Sequence, residues 1–469
     1  MESENLMAVY LVCAIAALAG LLFGFDTGII SGALLFIEQG FTLSTVMKEL
    51  IVSSVLLGAM AGSLLSGRLT DLYGRRRVIL LISTLFILGT LIASLAPTVL
   101  AILIGRLCIG VAIGIGSYTA PLYIAEVAPL ELRGGLVSLN QLAITIGIMC
   151  SYFINYAFTN TQGSWRLMFA IGLIPAVFLA IGMIFLPESP RWLIKQKRHE
   201  EARKILRRLR GKHNVAHELN AIENGLSVRE AGLKEVFSAT IRPVLFLGMM
   251  LGFLQQVTGI NTIIYYAPTI FQLAGFQDSR SAILATAGIG VVNVIATIFA
   301  VLYLDKLGRR TLLLVGLVGM CLSLLSLSLA FQADSHTSYL RGIAVVSTFT
   351  YVISFAFSLG AMLWLLISEI FPLSVRGTAM SIAVFSCWFW NFIVSSTFLT
   401  LLNALEPTNT FLVYAVMCVI AFIFCYFKIP ETKGVSLETI EDNIRRGLPL
   451  REIGQPAIPD KIAAKTYSG

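Results

Sequence analysis

Charged residues are scarce in this sequence. Only 13% of its 469 residues are Asp, Glu, Lys or Arg, and 57% are hydrophobic, whereas about a quarter of an ordinary soluble protein is charged. A water-soluble globule of this size could not bury so much apolar surface. The composition excludes a cytosolic enzyme, a disordered chain and a nucleic-acid-binding module. It also excludes an outer-membrane barrel, whose strands give weak hydropathy, so a polytopic helical membrane protein remains.

Histidine and cysteine do not form the patterns of a catalytic or metal site. The seven cysteines lie in apolar stretches at spacings that match no metal-binding motif, and we interpret them as small hydrophobic residues. The four histidines all lie in predicted loops. The sequence contains no recognisable nucleophile, metal cluster or acid–base pair, so we expect no enzymatic activity, no cofactor and no bound metal.

Apolar runs long enough to cross a bilayer, about 20 residues each, occur twelve times, and we number them as predicted spans 1 to 12. Six begin near Met7, Val46, Val78, Thr98, Gly135 and Leu167, and six more begin near Pro243, Ala282, Thr311, Leu340, Thr378 and Thr410. Alternate connections are rich in arginine, and the others are nearly free of Lys and Arg. The positive-inside rule therefore predicts that the arginine-rich connections and both termini are cytoplasmic.

Motifs of the first half of the chain recur in the second half. Asp71-x-x-Gly-Arg75-Arg returns as Asp305-x-x-Gly-Arg309-Arg, Glu126 with Arg133 returns as Glu369 with Arg376, and Pro-Glu188-Ser returns as Pro-Glu431-Thr. This order predicts a duplicated six-helix unit, typical of alternating-access carriers. We predict a first bundle over 1–190, amphipathic cytoplasmic linker helices over 191–240, a second bundle over 241–430 and a cytoplasmic tail over 431–469.

Two ionisable residues lie deep within predicted spans, where an unpaired charge is costly. Counted from the outer ends of spans 1 and 4, Asp26 and Arg106 lie at depths of roughly 16 and 12 Å, so they can meet. Burial favours a protonated carboxyl and a nearby guanidinium favours an ionised one, so a conformational change could take up or release a proton. We interpret the pair as a proton-coupling site; the alternative is a permanent structural salt bridge.

Amide side chains are concentrated where span 7 begins. Gln255, Gln256 and Asn261 fall within seven residues, and Tyr265 follows. Amides and aromatic rings match the hydroxyls and flat faces of polyols. We expect Gln255 and Gln256 to point in different directions, and Asn261 to approach them because Gly259 loosens the helix. The alternative is that these amides only bridge helices.

The charged residues of the repeated motifs are expected to act as cytoplasmic gates. Each exposed ion pair contributes only about 0–1 kcal/mol, which suits a switch between two states of similar energy; the alternative is that these residues only anchor the topology. The candidates are Asp71, Arg75, Glu126, Arg133, Glu188 and Arg191 in the first half, and Asp305, Arg309, Glu369, Arg376 and Glu431 in the second.

From about Ala8 to Glu441 these motifs resemble the sugar porter family of the major facilitator superfamily, particularly its bacterial proton-coupled symporters for xylose, galactose or arabinose. The resemblance implies an all-α membrane protein with twelve transmembrane helices in two pseudo-symmetric six-helix bundles. It also implies a symporter that couples monosaccharide uptake to proton entry, because uniporters of the family tend to carry a neutral residue where Asp26 stands.

The resemblance implies further sugar contacts and two departures from the family pattern. The contacts are Phe23, Gln141, Asn293, Gly360, Trp364 and Trp388. Span 10 lacks the prolines usually found beside its tryptophan, so we expect it to bend less or to gate differently. Cys387 stands where Asn or Gln is common, so we expect the loss of one hydroxyl contact.

Other functions remain compatible with the sequence. The alternatives to a pentose– or hexose–proton symporter are a facilitative uniporter, a carrier of another polyol such as inositol, and a non-transporting sugar sensor. A sensor of this fold commonly has a long cytoplasmic extension, which the roughly 40 residues after Pro430 do not resemble. The expected partners are a monosaccharide, a proton and the lipid bilayer of a bacterial inner membrane, and the expected state is a monomer.

Overall fold

Helices make up nearly all of the described chain. The computed structural model describes residues 6–129, 132–161, 163–210, 215–226, 233–332, 338–372 and 374–455, and contains no strand among them. Within these ranges twelve helical spans are long and apolar enough to cross a membrane, as the sequence predicts. The chain is therefore a multi-pass membrane protein.

Seven helices form the six spans of the first bundle. They are α1 (Leu6–Gly40), α2 (Thr45–Tyr73), α3 (Arg75–Ser94), α4 (Val99–Val127), α5 (Arg133–Phe158), α6 (Ser164–Ala170) and α7 (Leu173–Phe185), of which the last two share one span. Helix α1 packs against α4 and α5, and α4 also packs against α2 and α3. Glycines permit this approach, since a Cβ on Gly24 would lie only 1.8 Å from the carbonyl oxygen of Ile144 in α5.

Four short helices follow the first bundle. They are α8 (Pro190–Lys195), α9 (His199–Arg210), α10 (Val215–Leu226) and α11 (Leu233–Val236). The apolar face of α9 is buried, and its Ala202 and Leu206 join a small cluster with Trp192 and Leu193 of α8. The predicted amphipathic connecting helices are therefore confirmed.

The second bundle has the same number of spans. It contains α12 (Arg242–Val257), α13 (Ile260–Leu273), α14 (Ser279–Leu307), α15 (Arg309–Gln332), α16 (Ser338–Phe355), a π-helical segment (Ala356–Gly360), α17 (Ala361–Ile370), α18 (Arg376–Ser395) and α19 (Phe398–Lys428). Helices α12 and α13 share the seventh span, and α16, the π-helical segment and α17 share the tenth. After the last span come α20 (Leu437–Arg445) and a 3₁₀ turn at Leu450–Glu452.

The segment α19 contains two helices that meet at a kink, and the second of them begins directly after Glu406, close to the predicted start of the last span near Thr410. The helix is interrupted at Glu406, whose φ of 61° is left-handed, directly before Pro407. Proline disfavours a helical conformation of the residue before it. The residues around Glu406 therefore form a break between the two helices of the α19 segment.

The two D-x-x-G-R-R turns lie on the same face of the molecule, because six spans, an even number, separate them. We call this end the motif face and the other end the opposite face. The bundles meet where α1 packs against α13, α2 against α18 and α5 against α14. The buried polar residues described next lie beside these contacts.

Candidate functional site

A buried ion pair joins α1 to α4 in the interior of the first bundle. Asp26 is 2% exposed and Arg106 is fully buried. Nη1 of Arg106 donates to Oδ1 of Asp26 at 3.3 Å, whereas Oδ2 of Asp26 has no hydrogen-bond partner within the described residues. The two residues thus meet, as their depths in the sequence predict.

Arg106 also has partners other than Asp26. Its Nε donates to the carbonyl of Ile51 in α2 at 2.7 Å, and its Nη2 donates to the carbonyl of Val52 at 3.4 Å. Its guanidinium lies over the ring of Phe169 in α6, 5.9 Å from the centroid. Loss of the Asp26 charge would therefore not leave the guanidinium without partners.

The amides at the junction of α12 and α13 form one hydrogen-bonded cluster, which we call the amide cluster. Gly259, whose φ is 95°, separates the two helices. Nδ2 of Asn261 donates to Oε1 of Gln256 at 2.7 Å, so the expected approach of Asn261 is confirmed. Nε2 of Gln256 donates to Oε1 of Gln255 at 3.0 Å. The expectation that these two glutamines diverge is wrong, because their long side chains let the terminal amides converge.

Cys387 of α18 belongs to the amide cluster. Its Sγ accepts from Nε2 of Gln256 at 3.1 Å and donates to Oε1 of Gln255 at 3.3 Å. The sequence indicated only a lost hydroxyl contact at this position. Because a thiol is a weak donor and a weak acceptor, it orients the two amides without competing strongly with a ligand for their hydrogen bonds.

The tenth span is broken beside the amide cluster although it lacks proline. Ser358 in the π-helical segment has a non-helical backbone, with φ −109° and ψ −108°. Its hydroxyl donates to the carbonyl of Ser354 at 2.6 Å, a type of bond that often bends helices. The span is therefore irregular here without a proline, and the expected smaller bend or different gating stays a prediction. The carbonyl of Leu359 accepts from Nε2 of Gln255 at 2.9 Å, which brings neighbouring Gly360 close to the cluster.

Aromatic residues from both bundles lie near the amide cluster. The rings of Phe23 in α1 and Trp388 in α18 are 5.4 Å apart. Nε1 of the buried Trp388 has no hydrogen-bond partner in the described part of the chain. Tyr265 in α13 is also buried. An aromatic surface with an unused N–H donor suits a ligand that has an apolar face and hydroxyl groups.

Three other predicted sugar contacts lie apart from these hydrogen bonds. Gln141 in α5 and Trp364 in α17 are half-buried, and Asn293 in α14 is buried. Among the described residues, no hydrogen bond joins their side chains to the amide cluster. Their contact with a sugar stays a prediction.

An ion-pair network at the motif face joins α2, α3 and α4. Arg75 donates to Glu126 at 2.8 Å, and its guanidinium lies 3.5 Å from Asp71. Glu188 accepts hydrogen bonds from the backbone N–H of Arg75 and of two other residues. Burial raises the pKa of Glu188 above its ordinary value, and these backbone donors oppose that rise. The carboxylate fixes the chain after the sixth span to the start of α3.

The second bundle repeats this network. Arg309 donates to Glu369 at 3.1 Å, and Glu431 accepts from backbone N–H groups at the start of α15. The glycine of each D-x-x-G-R-R turn, Gly74 or Gly308, has a φ of 86° or 85°, which favours glycine over other residues. The sequence repeat therefore corresponds to a repeated structure.

Three predicted gating arginines form no ion pair with an acidic residue of the described structure; they are Arg133, Arg191 and Arg376. Both carboxylate oxygens of Glu126 and of Glu369 are bonded to donors of other residues instead. Arg376 donates instead to a backbone carbonyl at 3.2 Å. The side chain of Asp305 lies outside the described residues.

The sequence-based predictions omit one buried acidic residue, Glu49 of α2, which is 2% exposed. Its carboxylate reaches the second bundle and accepts from the backbone N–H and the hydroxyl of Thr400 in α19, at 2.7 and 2.8 Å. Nearby, Nδ2 of Asn403 donates to Oγ1 of Thr45 at 3.2 Å. A carboxylate within the first turns of an apolar span was the signal that could have identified Glu49.

Two pseudo-symmetric six-helix bundles with buried polar residues where they meet define a transporter of the major facilitator type. The chain belongs to the sugar (and other) transporter family, whose model matches residues 12–443.

Named relatives cover almost the whole chain. It is 40% identical over 455 residues to the galactose-proton symporter of Escherichia coli (strain K12), covering 96% of this chain and 97% of that protein. It is 39% identical over 448 residues to the arabinose-proton symporter of the same strain, with coverages of 94% and 95%. The inward open structure of the xylose transporter XylE from E. coli matches with a TM-score of 0.80 and 32% identity, covering 92% of this chain and 99% of that chain.

Proposed function

We propose that this protein couples uptake of a monosaccharide, a pentose or a hexose, to proton entry by alternating access. The observation that carries the proposal is the buried Asp26–Arg106 pair, in which one carboxylate oxygen has no partner among the described residues. Asp26 lies three residues from Phe23, whose ring meets Trp388 of the second bundle. The similarity to galactose- and arabinose-proton symporters supports this function.

In this proposal Asp26 carries the proton, and Arg106 controls the affinity of the Asp26 carboxylate for that proton. The ionised carboxylate is attracted to the guanidinium, and protonation removes that attraction. Arg106 then keeps its bonds to the α2 backbone, while α1 is freed to shift and to change the contact between Phe23 and Trp388. A proton that enters at 100 mV releases about 2.3 kcal/mol, and each unit of pH difference adds about 1.4 kcal/mol. One proton therefore supports more than tenfold sugar accumulation.

The amide cluster is the proposed sugar site. Gln255, Gln256 and Asn261 would exchange their mutual hydrogen bonds for bonds to sugar hydroxyls, and Trp388 would offer its ring face and its free N–H. The remaining proposed contacts are Phe23, Gln141, Tyr265, Asn293, Gly360 and Trp364.

We also propose that the motif face is cytoplasmic, because the arginine-rich connections lie there. Both termini then lie in the cytoplasm, and the membrane is a bacterial inner membrane. The proposed units are a first bundle over 1–190, linker helices over 191–240, a second bundle over 241–430 and a tail over 431–469. The protein is proposed to function as a monomer in the lipid bilayer.

We further propose that the structure represents the inward-facing state. Two contacts between the bundles close the opposite face: Glu49 bonds to Thr400, and the hydroxyl of Tyr152 donates to the carbonyl of Ile264 at 2.9 Å. The Arg75–Glu126 and Arg309–Glu369 ion pairs each stay within one bundle and are intact here, so in this assignment an open motif face does not require these two pairs to break.

Uptake into proteoliposomes tests the proposed function. Labelled xylose, arabinose, galactose, glucose and inositol are supplied with and without an imposed pH gradient, acidic outside. We expect at least one pentose or hexose to accumulate above its external concentration only when the gradient is present. A rate that does not respond to the gradient would indicate a uniporter, accumulation of inositol alone would indicate a polyol carrier, and no flux of any substrate would favour a sensor.

Replacing Glu49 with alanine should destabilise the closed opposite face. A hydrogen bond from a backbone N–H to a carboxylate is worth about 1.5–3 kcal/mol, so the amide of Thr400 should exchange its hydrogen at least about tenfold faster. Hydrogen–deuterium exchange of the peptide that contains Thr400, read by mass spectrometry, measures this change. Glu49→Gln retains an acceptor oxygen and should show a smaller increase.

Glu38→Ala is the matched control for this prediction. Glu38 lies on the opposite face and pairs with Lys48 inside the first bundle, so its removal should leave the exchange at Thr400 unchanged. Unchanged exchange in Glu49→Ala would contradict the role of Glu49 in holding this face closed.

A further inference from the structure

The chain after the twelfth span folds back onto the motif face and lines a half-open cavity of about 550 Å³, which we call the tail cavity. The fold is tight, since a Cβ on Gly454 would lie 1.9 Å from the carbonyl oxygen of Glu431. Nδ2 of the buried Asn443 donates to the carbonyls of Ile453 and Gln455 at 3.0 and 2.9 Å. These contacts hold the segment after α20 in a fixed position, so the cavity is part of the folded structure.

The lining of the tail cavity is basic. It includes Arg310, Lys433 and Arg451, but only one acidic residue, Glu431. The carboxylate oxygens of Glu431 already accept hydrogen bonds from three backbone N–H groups. The lining thus carries three positively charged side chains against one negative side chain.

Both arginines lie against one aromatic ring. The guanidinium groups of Arg310 and Arg451 are 5.1 and 5.6 Å from the ring centroid of Tyr426. Nη2 of Arg310 donates to the carbonyl of Tyr426 at 2.8 Å, whereas its Nε has no hydrogen-bond partner among the described residues. Two like charges at one ring repel each other, and an anion bound beside them would neutralise both.

The tail cavity is also lined by two hydroxyl side chains, which can hydrogen-bond to an anion. Ser436 and Thr439 line it at the start of α20, where Ser436 caps the helix. Guanidinium groups bind phosphate oxygens through pairs of parallel N–H donors. Hydroxyls and the positive end of a helix dipole also favour such an anion.

We propose that the tail cavity binds a phosphate group. The position of the cavity suggests the headgroup of an anionic phospholipid as its source, because Tyr426 and Phe427 at the end of α19 are 43% and 59% exposed on the bundle exterior. A soluble phosphate offers the same chemistry from the aqueous side. None of the proposed sugar or proton residues lines the cavity, so this inference is independent of the proposed function.

Thermal unfolding of the purified full chain in dodecylmaltoside tests the proposal. The probes are dioctanoyl-phosphatidylglycerol, inorganic phosphate, and dioctanoylglycerol as the lipid without phosphate. We expect phosphatidylglycerol to raise Tm and dioctanoylglycerol to have no effect. Arg451→Gln and Lys433→Gln should each need about tenfold more phosphatidylglycerol for the same shift, because each removes a charged donor.

Arg446→Gln is the matched control, since Arg446 lies just after α20, pairs with Asp442 at 2.7 Å and does not line the cavity. Its response should equal that of the unaltered chain. A stronger response to phosphatidylglycerol than to phosphate assigns the lipid headgroup, and an equal or stronger response to phosphate assigns a soluble ligand. No shift with either probe, or the same shift in Arg451→Gln and Lys433→Gln as in the unaltered chain, would overturn the proposal.

Discussion

Replacing Asp26 with asparagine is expected to abolish proton-driven sugar accumulation and to leave sugar exchange intact. Asparagine has nearly the same shape, and its Oδ1 can still accept from Nη1 of Arg106, as the carboxylate does at 3.3 Å. It cannot take up a proton in the relevant pH range. The accumulation ratio under a pH difference of one unit should therefore fall from about tenfold to about one.

Two assays in proteoliposomes separate the coupled and uncoupled activities. Uptake driven by a pH gradient measures coupling, and counterflow between equal sugar pools measures exchange. Asp278→Asn is the matched control because this carboxylate is exposed at the start of α14, so both activities should persist. Full uphill uptake by Asp26→Asn would refute the assignment of Asp26 as the proton site.

Replacing Gln256 with leucine should weaken sugar binding about 100-fold. Gln256 is the centre of the amide cluster, since it bonds to Gln255, Asn261 and Cys387. Leucine retains much of the volume but none of the hydrogen-bonding groups. Loss of two hydrogen bonds of about 1.4 kcal/mol each amounts to about 2.8 kcal/mol, or about two powers of ten in affinity.

Isothermal titration of the purified protein with its transported sugar measures this loss of affinity. Gln272→Leu is the matched control, because Gln272 also lies in the seventh span but donates to Ser279 at 3.2 Å, away from the cluster. The affinity of Gln272→Leu for the sugar should equal that of the unaltered chain. Equal affinity of Gln256→Leu and the unaltered chain would exclude Gln256 from the sugar site.

Features fixed by position along a single helix could be predicted from the sequence. The depths of Asp26 in α1 and of Arg106 in α4 follow from the rise per residue, so the similar depth of the two residues was predictable. The two D-x-x-G-R-R turns were predictable because a glycine with positive φ between two helices leaves a local pattern. The approach of Asn261 to Gln256 also depends on one local turn.

Features that depend on which helices face each other could not be predicted from spacing. Glu49 meets Thr400, which lies 351 residues away, and Cys387 meets the glutamines only because α18 packs against α12. The break at Ser358 comes from a serine hydroxyl bonded to its own helix, and serine at such a position carries no sequence signal as clear as proline.

The ion pair is built from α1, α2 and α4 of the first bundle, whereas the amide cluster is built from α12, α13 and α18 of the second. Under the proposed function, the first copy alone binds the driving ion, whereas most of the proposed sugar contacts lie in the second copy. Substitutions at the sugar contacts of the second copy can then accumulate without changing the ion pair of the first copy. A relative could therefore change its sugar specificity through substitutions in the second half of the chain and keep the same proton coupling.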